Sequence, residues 1–237
     1  MSILELDPEL GEGISSERLM GAKATCLVDV IRLSRGSWHP GRESELARGG
    51  FGLLVVDGLL SRRVGRDGRF GAELLGPTDL LRPWDRTSSG ASLPFSADWD
   101  VIKPARLAVL GARFGARAAP YPEIATELIG RALMRSRQLA LMMAIVHHPK
   151  VETRLEMLLW VLAERWATVR PDGVALSLPL THALLADLVA ASRPAVSAAL
   201  SALAKRGWLR RERHLWLLLG DPPGELEDLG ALSSRAR

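Results

Sequence analysis

Thr181-His182-Ala183-Leu184-Leu185-Ala186-Asp187-Leu188-Val189-Ala190-Ala191-Ser192-Arg193-Pro194-Ala195-Val196-Ser197-Ala198-Ala199-Leu200-Ser201-Ala202-Leu203-Ala204-Lys205-Arg206-Gly207-Trp208-Leu209 reads as two short helices, a tight turn between them, and the start of a return strand. Thr181 can cap a first helix through its hydroxyl. Leu184, Leu185, Leu188 and Val189 follow at helical spacing and make one face apolar. Ala190-Ala191 makes the turn. Ser192 caps the second helix, with Pro194 in its first turn, where no backbone donor is lost. Val196, Ala199, Leu200 and Leu203 form a buried stripe, and Arg193, Ser197, Ala198 and Ser201 take the opposite face. Gly207 stops the helix after Lys205-Arg206, a basic pair that suits a helix C-terminus. From Trp208 to Leu217 the chain reads as a short hairpin with a basic tip carrying Arg210, Arg211 and Arg213. The pattern is a helix-turn-helix with a wing.

A unit of this kind lays its second helix in the major groove of double-stranded DNA. Arg193 sits at the end of that helix that points at base edges, where an arginine takes guanine through O6 and N7. The small residues behind it let the helix approach closely. Residues 181–216 hold six Lys/Arg against the two acids Asp187 and Glu212, an excess of four that equals the net charge of +4 on the whole chain. The positive excess is therefore local, as a phosphate-facing surface requires. The plainer reading is a solvated basic rim on an ordinary helical domain. Caps, spacing, wing and charge agree on the first reading.

The 237 residues suit one large or two small domains. No apolar run is long enough to cross a bilayer, and Met1 to Asp7 is acidic, without the basic start of a signal peptide. A cytoplasmic protein with no membrane partner is expected. The one cysteine, Cys26, excludes an internal disulfide, a Cys-only zinc site and a cysteine-ligated iron–sulfur cluster within one chain. It lies in Ala24–Val28, read as a strand, and is expected to be a small buried hydrophobe rather than a redox sensor.

Residues 1–20 read as a short helical lead-in. From about 22 to 115 glycines are frequent and apolar runs short. Phe51–Leu60, Ser61–Val64 and Arg106–Leu110 are strand-like, Asp67-Gly68 is a hairpin signal, and Gly76-Pro77-Thr78-Asp79 is a turn. Short strands at this spacing suggest a β-barrel or jelly roll. From Pro122 to His147 the pattern is one long helix with an apolar seam of Ile124, Leu128, Ala132, Leu139, Met142, Met143 and Val146, while Glu123, Glu127, Arg131, Arg135 and Arg137 stay polar. Such a seam is expected to pair with its twin in a homodimer; packing on its own barrel is the alternative. Pro149 ends the helix. A further helix runs from Val151 to about Ala167 and leads through Arg170-Pro171-Asp172-Gly173 into the helix-turn-helix.

A β-roll, a long dimer helix and a winged helix-turn-helix, in that order, resemble the Crp/Fnr family of bacterial transcription regulators. The resemblance covers nearly the whole chain. It is specific in residues 180–209 and in Val151-Glu152-Thr153-Arg154-Leu155, similar to the family's helix start beside the hinge, and weaker in Gly58-Leu59-Leu60 and in Gly68-Arg69 through Leu75-Gly76-Pro77-Thr78-Asp79. It implies an α+β fold: a cyclic-nucleotide-binding-like β-roll sensor over 1–120, a dimerisation helix over 121–149, and a winged helix-turn-helix over 150–237. It implies two recognition helices about 34 Å apart on a palindrome. Arg193 would read a base. Thr181, His182, Ser192 and Ser197 would meet phosphates or groove edges, with Ser201, Lys205, Arg206, Arg210, Arg211 and Arg213 completing the DNA-facing set. Ala198 stands where base-reading members often carry a long polar side chain, so shape readout gains weight.

The cyclic-nucleotide-binding members cradle a phosphate with a Gly-Glu pair after the Gly-x-x-Asp turn and with a later Arg-Ser/Thr-Ala. Here Asp79-Leu80-Leu81 is followed by Arg82-Pro83-Trp84, Phe95-Ser96-Ala97 stands in place of the arginine triplet, and Leu139-Ala140 falls where polar residues contact adenine. Pro83 supplies neither carboxylate nor amide donor. A typical cAMP response is therefore not expected, and no cofactor is. Arg82, Trp84 and Arg86 are the candidates for a different ligand; Trp84 as filler of the barrel is the simpler assignment. His147-His148 point about 100° apart on a helix and do not suit one metal ion. No phosphate loop, nucleophile elbow or His-Glu-x-x-His is present, so no enzyme is expected. Two other readings compete: a small-molecule-binding or protein-interaction module with a vestigial winged helix, and a metal- or haem-gated sensor. RNA polymerase is a possible partner for an activator, although no residue here identifies a surface for it.

Overall fold

The computed structural model describes residues 1–66, 69–83, 96–213, 215–224 and 226. They divide into two compact units, 1–69 with 73–137, and 138–237 with the short segment 70–72.

The first unit opens with α1 (Ile3–Leu6), a 3-10 turn (Pro8–Gly11) and α2 (Ser16–Thr25), followed by β1 (Asp29–Leu33), β2 (Gly36–Trp38) and α3 (Arg42–Ala47). Two 15-residue strands dominate the sheet, β3 (Gly52–Arg66) and β6 (Ser96–Leu110), with β4 (Arg69–Leu75) and β5 (Leu80–Leu81) between them in sequence. The order is β1-β6-β3-β4, with β2 on β6 and β5 on β3. Both faces of this sheet are covered, and the alternation of its side chains shows it. Leu53 and Val55 of β3, with Leu107 and Val109 of β6, enter the interior of the roll beside Trp38, Leu60, Leu81 and Trp99. The intervening Leu54, Ala108 and Leu110 enter a second core with Ile3, Leu4, Leu10, Cys26 and Phe114. Successive strand residues point to opposite faces, so one strand serves two cores. α4 (Ala112–Ala118) closes the second core.

The long strands bend at a bulge between Val55 and Leu60. Gly58 has φ +97° there, and a Cβ would stand 2.5 Å from Pro104 O. The interrupted ladder is repaired by a side chain: Asp57 Oδ1 accepts from the Arg106 amide at 3.1 Å and Oδ2 from Arg106 Nε at 2.6 Å. The turn at Gly76–Asp79 forms as read, with Asp79 N donating to Gly76 O at 3.1 Å and Thr78 at φ +75°. Asp67-Gly68 lies outside the described residues, although β3 and β4, which flank it, are paired. Cys26 is not in a strand. It caps the C-terminus of α2, fully buried, because the helix runs on through Thr25.

α5 (Pro122–His147) has the bounds that the sequence indicates, but its faces differ from the reading. Ile124 and Leu128 are buried in the first unit's own core. Arg131 and Arg135, on the polar side of the sequence pattern, turn inward. Arg131 is 10% exposed and binds Asp7, Glu9 at 3.2 Å and Glu127 at 2.9 Å. Arg135 donates to Glu73 at 2.7 and 3.2 Å and to Leu80 O at 2.8 Å. Ile129, Leu133, Ala140 and Met143 are exposed on one stripe of the helix, which Ser136 and His147 continue, in alternating steps of four and three residues.

The second unit contains α6 (Val151–Trp166), β7 (Ala167–Arg170), β8 (Gly173–Leu176), α7 (His182–Leu188), α8 (Arg193–Lys205), β9 (Leu209–Glu212) and β10 (Leu215–Leu218). The β7–β8 hairpin was read as a plain connection. Its strands join the wing in one antiparallel sheet, β7-β8-β10-β9. α6 and α7 both pack on α8, burying Leu155, Leu158, Leu159, Leu162, Leu185, Leu188, Val196 and Leu203. Among the described residues no single helix is long and apolar enough to cross a membrane.

Candidate nucleic-acid interface

α7 and α8 cross at 101°, within the range of a helix-turn-helix. Both caps form. Thr181 Oγ1 accepts from Leu184 N at 3.1 Å, and Ser192 Oγ from Ala195 N at 3.3 Å. Ala190 holds the turn at φ +51°, a left-handed conformation that a Cβ disfavours. α8 ends in a Schellman motif: Trp208 N donates to Leu203 O and Gly207 N to Ala204 O, with Gly207 at φ +72°. This fixes the length of α8 and the point where the wing departs.

The outward face of α8 exposes Arg193, Pro194, Ala198, Ser201, Ala204 and Lys205. Ser197 is half-buried: its hydroxyl donates to Arg193 O at 3.0 Å, and its oxygen lies 2.8 Å from His182 Nδ1. With the serine proton committed to the carbonyl, His182 must donate from Nδ1, an assignment made from the network. His182 thus ties the first turn of α7 to the first turn of α8. Of the side chains expected at phosphates or groove edges, Thr181 and Ser192 serve as caps, and His182 and Ser197 hold each other.

The basic set also divides. Arg206 binds Glu156, and Glu152 at 3.8 Å; Arg210 binds Glu212 at 2.8 Å and Asp172 at 3.3 Å. Glu152, Glu156 and Asp172 lie outside the window over which the local charge excess was counted, and the fold returns them to it. Arg193, Lys205 and Arg213 are exposed without an ion pair among the described residues. Arg211 lies over the Trp216 ring at 4.7 Å, and Arg213 sits at the hairpin tip with φ +46°. One arginine escaped the sequence reading: Arg154 of α6 donates to His148 O at 2.5 Å and to Val189 O and Ala190 O at 3.1 and 3.2 Å. Its signal was visible only as part of Val151–Leu155, without a partner to assign.

In the first unit the roll holds a charged cluster. Glu73, 10% exposed, lies 2.5 Å from Arg62 Nε and 2.7 Å from Arg135. Arg62 also stacks 5.6 Å from the Trp99 ring, and Trp99 meets Trp38 edge to face. Arg82 is exposed; Trp84, Arg86 and Phe95 lie outside the described residues. A cavity of about 330 Å³ is lined by Trp38, His39, Arg63, Pro83, Trp99 and Asp100, among others. His147 Nδ1 faces Met143 O at 2.6 Å, and His148 Nδ1 accepts from Lys150 N at 3.2 Å.

The family model of the Crp-like helix-turn-helix domain matches residues 153–224, which span α6 to the wing. A CRP-like cAMP-activated global transcriptional regulator of Mycobacterium tuberculosis is 29% identical, over 67% of this chain and 71% of its own. Residues 153–224 are thus similar to a Crp-like helix-turn-helix domain, and these matches support the Crp/Fnr family. Solved structures share its fold at lower identity. A CooA variant from Carboxydothermus hydrogenoformans has a TM-score of 0.64 at 17% identity, covering 94% of both chains. FixK2 from Bradyrhizobium japonicum has a TM-score of 0.60 at 16% identity, covering 82% of this chain and 93% of its own. The Crp-like domain and the regulator relative support a DNA-binding transcription regulator with an N-terminal β-roll. Nothing in these comparisons favours the vestigial module.

Proposed function

We propose that this chain acts as a homodimer on a palindromic operator, that Arg193 reads a base in each half-site, and that its sensor does not respond to cAMP. The domains would be the β-roll over 1–120, the dimer helix over 121–149 and the DNA-binding domain over 150–237. The observation that carries base reading is the outward face of α8, where Arg193 heads a surface of small residues and, among the described residues, lacks a competing carboxylate. Lys205, Arg211 and Arg213 supply phosphate contacts. Arg206 and Arg210 contribute less, because each is already matched by an acid. Exposed ion pairs are weak enough to exchange partners, so both still add to the long-range field.

Dimerisation is supported by the stripe on α5. Ile129, Leu133 and Met143 are 58, 59 and 62% exposed, at the heptad-like spacing by which parallel helices pair. Replacing Leu133 by Glu puts two carboxylates into that seam. Sedimentation velocity of the full chain should then change from dimer to monomer; an unchanged dimer removes α5 as the interface.

cAMP does not fit the described residues of the roll. Pro83 has no amide to offer a phosphate, and Arg62 and Arg135 share the carboxylate of Glu73. A second anion there would have to displace Glu73 and strand it, at the cost of leaving a buried charge unpaired. The Mycobacterium tuberculosis relative is cAMP-activated by its description, so the effector response is where the two proteins are expected to part. Whether the protein activates by contact with RNA polymerase is a separate matter, for which no surface is proposed.

A further inference from the structure

We propose that Arg154 is a positioning residue that couples the break between α5 and α6 to the turn of the helix-turn-helix, and so sets the placement of α8 on DNA. The proposal concerns the regulation of the DNA-binding surface described above. α5 ends at His147, and Pro149, which has no amide proton, prevents the ladder from continuing. The carbonyls just past the ends of α5 and α7 have no further helical turn to supply donors, and both helix ends carry partial negative charge. One guanidinium serves both ends. Its Nε donates to His148 O at 2.5 Å and its Nη1 to Val189 O and Ala190 O at 3.1 and 3.2 Å.

The geometry makes this a coupling rather than two separate bonds. The guanidinium is planar and rigid, so its donors keep fixed directions relative to one another. Movement of the His148 carbonyl turns the fork and misaligns it at residues 189 and 190. Those two residues are the turn itself, and Ala190 is held there at φ +51°, against the preference of a side chain with a Cβ. Three residues on, Arg193 begins α8. The path from hinge to base-reading arginine thus runs through one side chain and one strained turn. Lysine has the charge for this position but not the fork.

The test uses the full chain and hydrogen exchange without DNA, so that its outcome is independent of which operator the protein selects. Pro149→Gly loosens the break at an exposed position. In the otherwise native protein it should speed exchange of the amides at 189–192 by about tenfold, the scale of a typical coupling. In an Arg154→Lys background, Pro149→Gly should leave exchange at 189–192 unchanged. An Arg154→Gln background serves the same purpose if the lysine variant does not fold. Loss of the response in the Arg154 variant, with unchanged protection of α6, supports the coupling. The same response with and without Arg154, or no response in either, overturns it. In parallel, Arg154→Lys should lower the ratio of operator to random-duplex affinity while the slope against salt stays the same. An unchanged ratio would contradict the role in placing α8, and failure of the native protein to select DNA would count against the operator reading instead.

Discussion

Arg193 occupies the first helical position of α8, behind the Ser192 cap, with its side chain exposed. A bidentate contact from such a position to guanine is worth about 1–3 kcal/mol of discrimination. Arg193→Ala should therefore lose that amount at one base pair in each half-site, read by competition among single-base operator variants. Equal loss on all sequences would make Arg193 a phosphate contact. Cys26 shows the opposite kind of residue. It is fully buried, its thiol lies 3.9 Å from Arg117 O, and burial raises its pKa above the usual thiol value. The neutral thiol is the form the fold favours, and it stays protonated at physiological pH. A thiol reagent near pH 8 should fail to modify the folded protein and should label it on unfolding; fast labelling of the native state would refute the packing role. Caps and the apolar face of α8 were legible because a cap and the amide that donates to it are three residues apart. The engagement of His182 with Ser197 was not, because it depends on how two helices cross.

At the scale of elements, the wing is the piece whose role is most open to measurement. Its tip carries Arg213, and β9 carries Arg211 over Trp216. Removing either by Ala substitution should weaken binding to every duplex and lower the log–log salt slope by about one. An unchanged slope would place the wing away from the phosphates. The β7–β8 hairpin, which braces the wing through pairs such as Leu176 with Trp216, was missed for a physical reason. β7 is mostly exposed and shows no alternation, and its partner β8 is held by β10, some forty residues later. The Pro171-Asp172-Gly173 turn was its only local sign. α5 teaches the same lesson. Its bounds were plain, yet Arg131 and Arg135 could be read only as polar, because their partners, Asp7 and Glu73, are far away in sequence. The apolar seam moved accordingly, from Ile124 and Leu128 to Ile129 and Leu133.

For the whole molecule, the order of roll, long helix and winged helix-turn-helix was legible because each part has its own periodicity, two for strands and 3.6 for helices. The balance of charge was less so. The +4 excess counted along residues 181–216 is real, but the fold brings Glu152, Glu156 and Asp172 back to Arg206 and Arg210. The positive surface is narrower than composition implies and centres on Arg193, Lys205 and the wing. A narrow surface binds any one site modestly, which gives two-fold repetition on a palindrome its value. In the roll, Glu73 lies between Arg62 and Arg135. The direct test of both halves is selection of binding sites from a random duplex pool by the purified full-length protein, run with and without cAMP. The account predicts the same two-fold symmetric motif in both conditions. A motif that appears only with cAMP would contradict the reading of the sensor, and no motif in either condition would contradict autonomous binding to a palindromic operator.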